Sequence, residues 1–500
     1  LLRGHPAQRS LDRDGRTLMT PEAGHGRFSP GAFRSLFAGR RILWQCFFGA
    51  YCVGLDLLLP IELVRSLDDG SDLDLIRDRC GIHFATVEHA NNEGRRRNWI
   101  GASIDVGFEQ CRAAVEDRLR AHRRDSWWLT SSPSSGRLAA YCREHGYGYV
   151  GPSLESQQRF QAKSCLLEIC HDLRLPRVKG EWCSLQHTTH AELARHLGQP
   201  LVLQTARGAA GSGTRLVRSE ADLRHVAPFF GDEPVLVSSY LGPVSLNINA
   251  AVIGGEPFVG PPSVQLAGLD ALGAPWGGYC GNDYSAATGL DRTLIAAVQD
   301  QTDRIGWWMA ARGFEGLYGL DFVVSEQDGR AYAVDLNPRW QGSTALSIQA
   351  ELARGRLPLA AAEFACRARV ISPADVKMHA DDFRRPLTGA QMCLRAPRDR
   401  RLRVAGDPRP GVYESAAKPR FVTSGFRLAD CAGDDQWLVT CGVPRTGTQV
   451  EPGAWLARIY TDRPVVGPDS ATLSPWASQV AAHALASLGL VTDSAAGSGA

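Results

Sequence analysis

Between Gly316 and Thr344 the chain reads GLYGLDFVVSEQDGRAYAVDLNPRWQGST. Two runs with strand character, Leu317 to Ser325 and Arg330 to Asn337, flank Gln327-Asp328-Gly329. A three-residue loop with Gly last is a common hairpin connection, because Gly accepts the left-handed position there. This loop pairs Glu326 with Arg330 and, counting back, sets Asp321 opposite Asp335. Side chains alternate faces with period two, so Asp335 and Asn337 share one. A small surface therefore carries Asp321, Asp335 and Asn337, and Arg339 follows directly after Pro338. Two carboxylates and an amide oxygen suit a hard cation, and Mg²⁺ takes one or two carboxylates together with phosphate oxygens. Arg339 adds a fixed planar donor for phosphate or carboxylate. The plain alternative is a hairpin with solvated acids. Phe322, Val324, Ala333 and Val334 weigh against it, since unpaired acids in a core hairpin are costly.

Several upstream elements would have to present a phosphate to that surface. Ser153 to Leu173 reads as one helix with Phe160, Leu167, Cys170 and Leu173 at helical spacing. Lys163 lies on the same face, where a lysine either snorkels or meets an anion. Pro200 to Gln204 reads as a strand, followed by TARGAAGSGTRLV. There Gly208, Gly211, Ser212 and Gly213 can bring backbone amides close to phosphate. The loop is neither a Walker A motif nor G-x-G-x-x-G, and taken alone it is also what a simple hairpin looks like. Val235 to Tyr240 is a strand running into Leu241-Gly242-Pro243. Ser245 to Ile253, with Asn247, alternates as a half-buried strand. Gly260 to Ser285 reads as a long loop; it holds Pro261-Pro262-Ser263-Val264-Gln265 and Tyr279-Cys280-Gly281-Asn282-Asp283. Long ordered loops are often functional, so Ser263, Gln265 and Asn282 are expected to touch substrate; an irregular insertion is the alternative. Leu294 to Ala311 and Gln349 to Arg354 are expected helices.

Five hundred residues imply two to four domains. A formal charge of +2 carries no nucleic-acid or membrane signal. The 13 cysteines, odd in number and without C-x-x-C pairs, point to reduced thiols and a cytoplasmic setting. His187 and His190 have no matching partner cluster and read as surface. Ile42 to Leu59 imitates a membrane segment, but Gln45, Asp56 and its glycines interrupt it, and it begins too late for a typical signal peptide. It is expected to hold a buried strand, Ile42 to Phe48, then a loop and a helix from Leu57 to Leu67. His83 to Glu88, Ser126 to Thr130 and Tyr147 to Val150 read as further strands, with helices at Arg112 to His122 and Arg137 to His145. This alternation predicts a parallel α/β domain. The divisions are a flexible or loosely docked arm at 1–40, the α/β domain at 41–150, a second domain at 151–375 and a small α+β module at 376–500.

Lysine helix, Gly-rich loop, hinge strand, then Asp321 and Asp335-Leu336-Asn337-Pro338-Arg339: in this order the motifs resemble the ATP-grasp superfamily, over roughly residues 150 to 355. The resemblance implies an ATP-grasp fold, two α+β subdomains clasping ATP, with a Rossmann-like domain before it and a small α+β module after it. It implies that Lys163, Gln204, the glycine loop and Asn247 face ATP, and that Ser239, Tyr240 and Leu241 form the adenine hinge. Mg²⁺ would lie on Asp321, Asp335 and Asn337. Lys163 and Arg339 would be catalytic, and Ser263, Gln265, Asn282, Arg339 and Ser343 would bind substrate. Several positions depart from the family, among them Ala162, where Asp usually precedes the lysine. Asp335 stands where Glu is usual, Gln204 where lysine is usual, and Ser239 and Ser245 where acids often hold ribose. Pro-Pro-Ser-Val-Gln and Tyr-Cys-Gly-Asn-Asp look like the pheganomycin-type peptide ligases. The implied reaction is ADP- and phosphate-forming ligation of a small-molecule carboxylate to an amine, in natural-product biosynthesis, with a homodimer allowed. A nucleotide-binding module without turnover, and a carboxylase-type enzyme, are the alternatives, although no biotinyl-carrier segment is visible.

Overall fold

A computed structural model describes residues 28–206, 208 and 210–493. The first domain is built on Arg41–Cys46, whose apolar run is buried on both faces, as parallel strands require. Across this five-stranded sheet the order is His83–Thr86, Ile61–Ser66, Arg41–Cys46, Trp127–Ser132, Gly148–Tyr149, all parallel. The expected helix from Leu57 to Leu67 is corrected to a short 3₁₀ turn, Leu55–Leu57, and the strand Ile61–Ser66. A short apolar run suits either state, and pairing with Arg41–Cys46 decides it. The membrane-like stretch is thus core strand and turns, and no helix among the described residues is long and apolar enough to cross a membrane.

The arm is also corrected where it can be seen. Residues 1–27 lie outside the described residues, but Pro30–Ser35 is a helix, and Phe28, Phe33 and Phe37 are buried in the main core. Their spacing was too short to register as a periodic pattern.

A small antiparallel sheet follows, ordered Gly180–Cys183, Val235–Ser239, Leu201–Thr205, Thr214–Val217. Helices His190–Leu197 and Glu220–Phe230 close its core. The large sheet has ten strands. It begins at the edge with Ala331–Asn337 and runs through Gly316–Val324, Ser245–Ile253, Glu256–Ala267 and Tyr279–Asp283. It then continues without a break into Ala390–Arg395 and Trp455–Thr461. The residues after 375 thus contribute strands to the same sheet as the hairpin. Arg95–Arg96 of the first domain also pairs with Gln449–Val450, in a small sheet with Leu402–Val404 and Leu490–Thr492. Asp72 accepts hydrogen bonds from the Gly442 and Val443 amides (3.1 and 2.9 Å).

The long loop from Gly260 to Ser285 is corrected as well. Glu256–Ala267 is one twelve-residue strand with Pro261 and Pro262 inside it. Proline cannot donate to the ladder, and the register of Ser245–Ile253 against this strand shifts between Ile248 and Ala250, opposite the prolines.

Candidate functional site

The hairpin that carries the acids spans Gly316–Val324 and Ala331–Asn337. Its closing bond is Ser325 N–H to the Arg330 carbonyl (2.9 Å), one residue off the expected pairing of Glu326 with Arg330. Phe322 pairs with Ala333, the register then shifts, and Asp321 pairs with Asp335 after all. The extra residue, Val334, is a β-bulge that restores the opposition of the two acids.

Polar side chains fix both carboxylates. Asn247 Nδ2 donates to Asp321 Oδ1 (2.7 Å) and to Gln341 Oε1. Asn337 Nδ2 lies 3.4 Å from Asp321 Oδ2, and Arg339 Nη2 donates to Asn337 Oδ1 (2.9 Å). Ser343 Oγ donates to Asn247 Oδ1 (2.6 Å) and accepts from Asn249 Nδ2 (2.9 Å). Burial, and then the facing Asp335 carboxylate, push Asp321 up to about 7. Burial pulls Arg339 below the ordinary arginine value, against the attraction of the two aspartates.

Lys163 reaches the same place by a route the periodicity did not show. The expected single helix is two, Leu154–Phe160 and Lys163–Asp172, separated by Ala162 in extended conformation. Lys163 is the first residue of the second helix. A cation there opposes the helix dipole, and Asp335 Oδ1, 3.0 Å from Lys163 Nζ, offsets it. Phe160 and Cys170 stay in one core cluster across the break, which is why the spacing read as continuous.

These groups line a cleft of about 1260 Å³ between the small sheet, the hairpin and the first domain. Gln204, Gly208, Gly211, Ser212, Gly213, Ser239, Tyr240, Leu241, Gln265 and Ser343 line it too. The Gly-rich loop is folded down onto the opposite wall. Tyr279 N–H donates to the Ala210 carbonyl (3.2 Å), and Gly211 has φ +75°, with space for no Cβ: one would lie 1.9 Å from the Gly277 carbonyl oxygen. At the hinge, the Tyr240 amide donates to the Pro200 carbonyl (3.1 Å), and the Leu241 carbonyl accepts from Glu326 N–H (3.0 Å).

Ser263 and Asn282 are corrected: both are fully buried away from the cleft. They belong to adjacent strands, and Asn282 Nδ2 donates to Ser263 Oγ (3.1 Å). Gln265 does line the cleft, with a buried Oε1 that has no partner, as has Gln341 Nε2. Such orphaned groups are what a ligand's donors and acceptors would complete. Sequence reasoning missed Gln341 and the far wall, where Phe48, Tyr51, Trp99, Trp455 and Arg458 stand. Tyr51 and Arg458 are 407 residues apart, and no local signal joins them. All 13 cysteines are free thiols. The described residues hold no group of three or more His, Cys, Asp or Glu placed to bind a metal. Asp321, Asp335 and Asn337 offer two carboxylates and an amide oxygen, the ligand type that a hard divalent cation takes, although the amide oxygen accepts from Arg339 here.

No family model matches the chain. Biotin carboxylase 1 of Bacillus subtilis is 23% identical over 218 residues, 41% of this chain and 46% of that protein. The carbamoyl phosphate synthase large chain of Pasteurella multocida is 25% identical over 212 residues, 41% of this chain and 18% of that one. The matched stretch thus spans less than half the length of these curated relatives. Among solved structures, the biotin carboxylase–βγ-ATP complex from Campylobacter jejuni superposes with a TM-score of 0.53 at 14% identity, covering 84% of this chain and 86% of its own. N5-carboxyaminoimidazole synthase from Aspergillus clavatus, with ADP and 5-aminoimidazole ribonucleotide, gives 0.52 at 13%, covering 88% and 99%. With a parallel first domain and antiparallel sheets enclosing one cleft, the chain has the ATP-grasp fold.

Proposed function

We propose that the chain is an ATP-dependent carboxylate–amine ligase that forms ADP and phosphate. The observation that carries this reading is the convergence of Lys163, Asp321, Asp335, Asn337 and Arg339 on one wall of the cleft, next to the Gly-rich loop. A carboxylate oxygen of the acid attacks the γ-phosphorus, the bond to the β,γ-bridging oxygen breaks, and ADP leaves. The amine nitrogen then attacks the acyl carbon, loses a proton, and phosphate departs. Asp321, Asp335 and Asn337 fit Mg²⁺, which when bound neutralises phosphate oxygens. Lys163 balances charge on the transferring phosphoryl group, and Arg339 does so at the tetrahedral oxygen. The amides of Gly211 and Gly213 cap the phosphates, and the folded-down loop limits water access. Positioning supplies much of the effect. ATP and ADP in the printed names of structures with this fold support the nucleotide.

Within that class we read an amino acid or peptide ligase of specialised metabolism, of the pheganomycin-type group. Its support is the pair of segments containing Gln265 and Asn282, which lie side by side as strands bordering the cleft. A second reading takes bicarbonate as the acid. It is favoured by a relative's structure with MgADP and hydrogen carbonate, described as a dimer.

The test is phosphate release from ATP over a pairwise panel of acids and amines, including bicarbonate, with products identified by mass spectrometry. Release that requires both an acid and an amine, with a matching amide mass, supports ligation. Release with bicarbonate alone favours the second reading. Nucleotide binding without release for any pair returns the chain to a silent ATP-binding module.

A further inference from the structure

Arg458 lies on Trp455–Thr461, is 2% exposed, and lines the far wall of the cleft. Its Nη1 donates to the Gly342 carbonyl (3.0 Å) and to Gln391 Oε1 (2.9 Å), and its Nη2 donates to the Tyr51 hydroxyl. All three acceptors are neutral. Among the described residues no carboxylate forms an ion pair with it. Arg96, equally buried, is neutralised by Glu88, and the less buried Arg367 and Arg427 pair with Glu363 and Asp56. Arg65 is also buried without a carboxylate, but it donates to the Ile104 and Val106 carbonyls and does not line the cleft. Burial pushes the nearby Tyr51, Tyr460, Cys393 and Cys441 upward, so they stay neutral and do not supply the missing charge. Arg395, 4% exposed, repeats the situation. It donates to the Tyr279 carbonyl, leaves a buried Nε unpaired, and has no carboxylate partner. Both guanidinium carbons lie against the Trp455 ring, at 4.3 and 5.8 Å from its centroid. Burying a cation without a counter-charge is expensive, and an anion brought by a ligand removes that cost.

Gly342 joins this wall to the hairpin chemistry, because its carbonyl holds Arg458 and its neighbours in sequence, Gln341 and Ser343, hold Asn247 and through it Asp321. The rings of Phe48, Tyr51 and Trp455 lie beside the Arg458 guanidinium, and Trp99 and Ile100 line the same cleft. The carboxylate that is phosphorylated must lie beside Asp335 and Lys163. A standing cation on the other wall suits a second carboxylate that the reaction does not consume.

We propose that Arg458 binds the free carboxylate of the amine substrate, and that this substrate is an α-amino acid with a large apolar side chain packed on the aromatic wall. The assignment rests on the ligase reading given above. It is tested by binding, which needs no turnover. L-Phenylalanine, L-tryptophan, L-leucine, glycine and L-phenylalaninamide are titrated calorimetrically into the full chain with MgADP present. At least one of the three large amino acids is expected to bind, with glycine weaker, and replacing the carboxylate of phenylalanine by a neutral amide is expected to weaken binding about 30-fold or more. Arg458→Met should abolish the preference for acid over amide while ADP affinity stays within about twofold. The variant takes a donor from the Gly342 carbonyl, Gln391 Oε1 and the Tyr51 hydroxyl, so its thermal midpoint should fall. If it does not fold, the comparison of acid with amide on the unaltered chain still decides. Equal binding of acid and amide, a preference that survives in Arg458→Met, glycine as tight as the large amino acids, or no binding by any of the three overturns the proposal. Absence of ATP cleavage with every pair in the turnover panel sinks the ligase reading separately, since the anion site is read from binding alone.

Discussion

Lys163 Nζ lies 3.0 Å from Asp335 Oδ1, although 172 residues separate them in the chain. The contact ties the second of two broken helices to the edge strand of the large sheet. It also leaves Asp335 shared between a lysine and a facing aspartate, so that a phosphate and its cation can replace one protein contact with another. Both side chains are partly open to the cleft, at 13% and 35%, so the pair contributes little to stability and its consequence is positional.

Asp335→Asn keeps the side-chain shape and removes one of the two carboxylates. The fold should be retained, with a thermal midpoint near that of the parent. Turnover of Mg-ATP should fall about 10²-fold or more. A magnesium titration of the initial rate checks the assignment: near-normal turnover at ordinary magnesium removes Asp335 from the metal set.

Arg339→Lys should be far more damaging than its chemistry suggests. Arg339 holds Asn337 Oδ1 with one nitrogen and the Trp340 carbonyl (3.2 Å) with another. An ammonium cannot present that planar fork. Nucleotide binding should survive while amide formation drops about 10²–10³-fold. Single-turnover ATP cleavage beside an ATP-binding titration separates the two effects, and amide formation at the parent rate ends the catalytic assignment.

Gly211→Ala tests the closed loop. Alanine at φ +75° is strained, and its Cβ would meet the Gly277 carbonyl oxygen at 1.9 Å. The loop should lift from the 276–278 wall. The KM for ATP should rise about tenfold, equivalent to roughly 1.4 kcal/mol of lost contact. Global stability should be little changed, and residues near 206–213 should become more open to protease. Unchanged KM and unchanged cleavage would show that the contact does not govern closure.

Glu351 gives a pH signature unrelated to the site. It is fully packed, accepts the Leu359 amide, has an orphaned Oε2, and is pushed up to about 8 by burial. An unfolded glutamate titrates near ~4.3, so the folded state holds its proton more tightly. The stability this contributes is complete below the unfolded value and is lost as pH rises through the folded one. Glu351→Gln should therefore match the parent at pH 4 and gain on it progressively up to pH 8. Parallel thermal-unfolding midpoints across that range would refute the shift.

The hairpin was legible in the sequence because a turn signal, period-two alternation and the D-x-N-P-R run are all local. Even so, the expected register was off by one at the turn, and Asp321 met Asp335 only through the bulge at Val334. The parallel first domain was legible from its alternating strands and helices, apart from Ile61–Ser66, whose state depends on a neighbouring strand. The break at Ala162 was hidden because both helices keep their apolar faces in one core.

The order of the motifs, through their resemblance to the ATP-grasp superfamily, pointed to the fold class and to most of the expected residues that line the cleft. Tertiary structure alone decided the rest. It buried Ser263 and Asn282 against each other, carried the large sheet past residue 375, and brought Tyr51 and Arg458 together across 407 residues. The physical reason is range. Hydrogen-bonded turns and helical faces are set by residues a few positions apart, whereas the counter-charge of a buried guanidinium depends on every element packed around it.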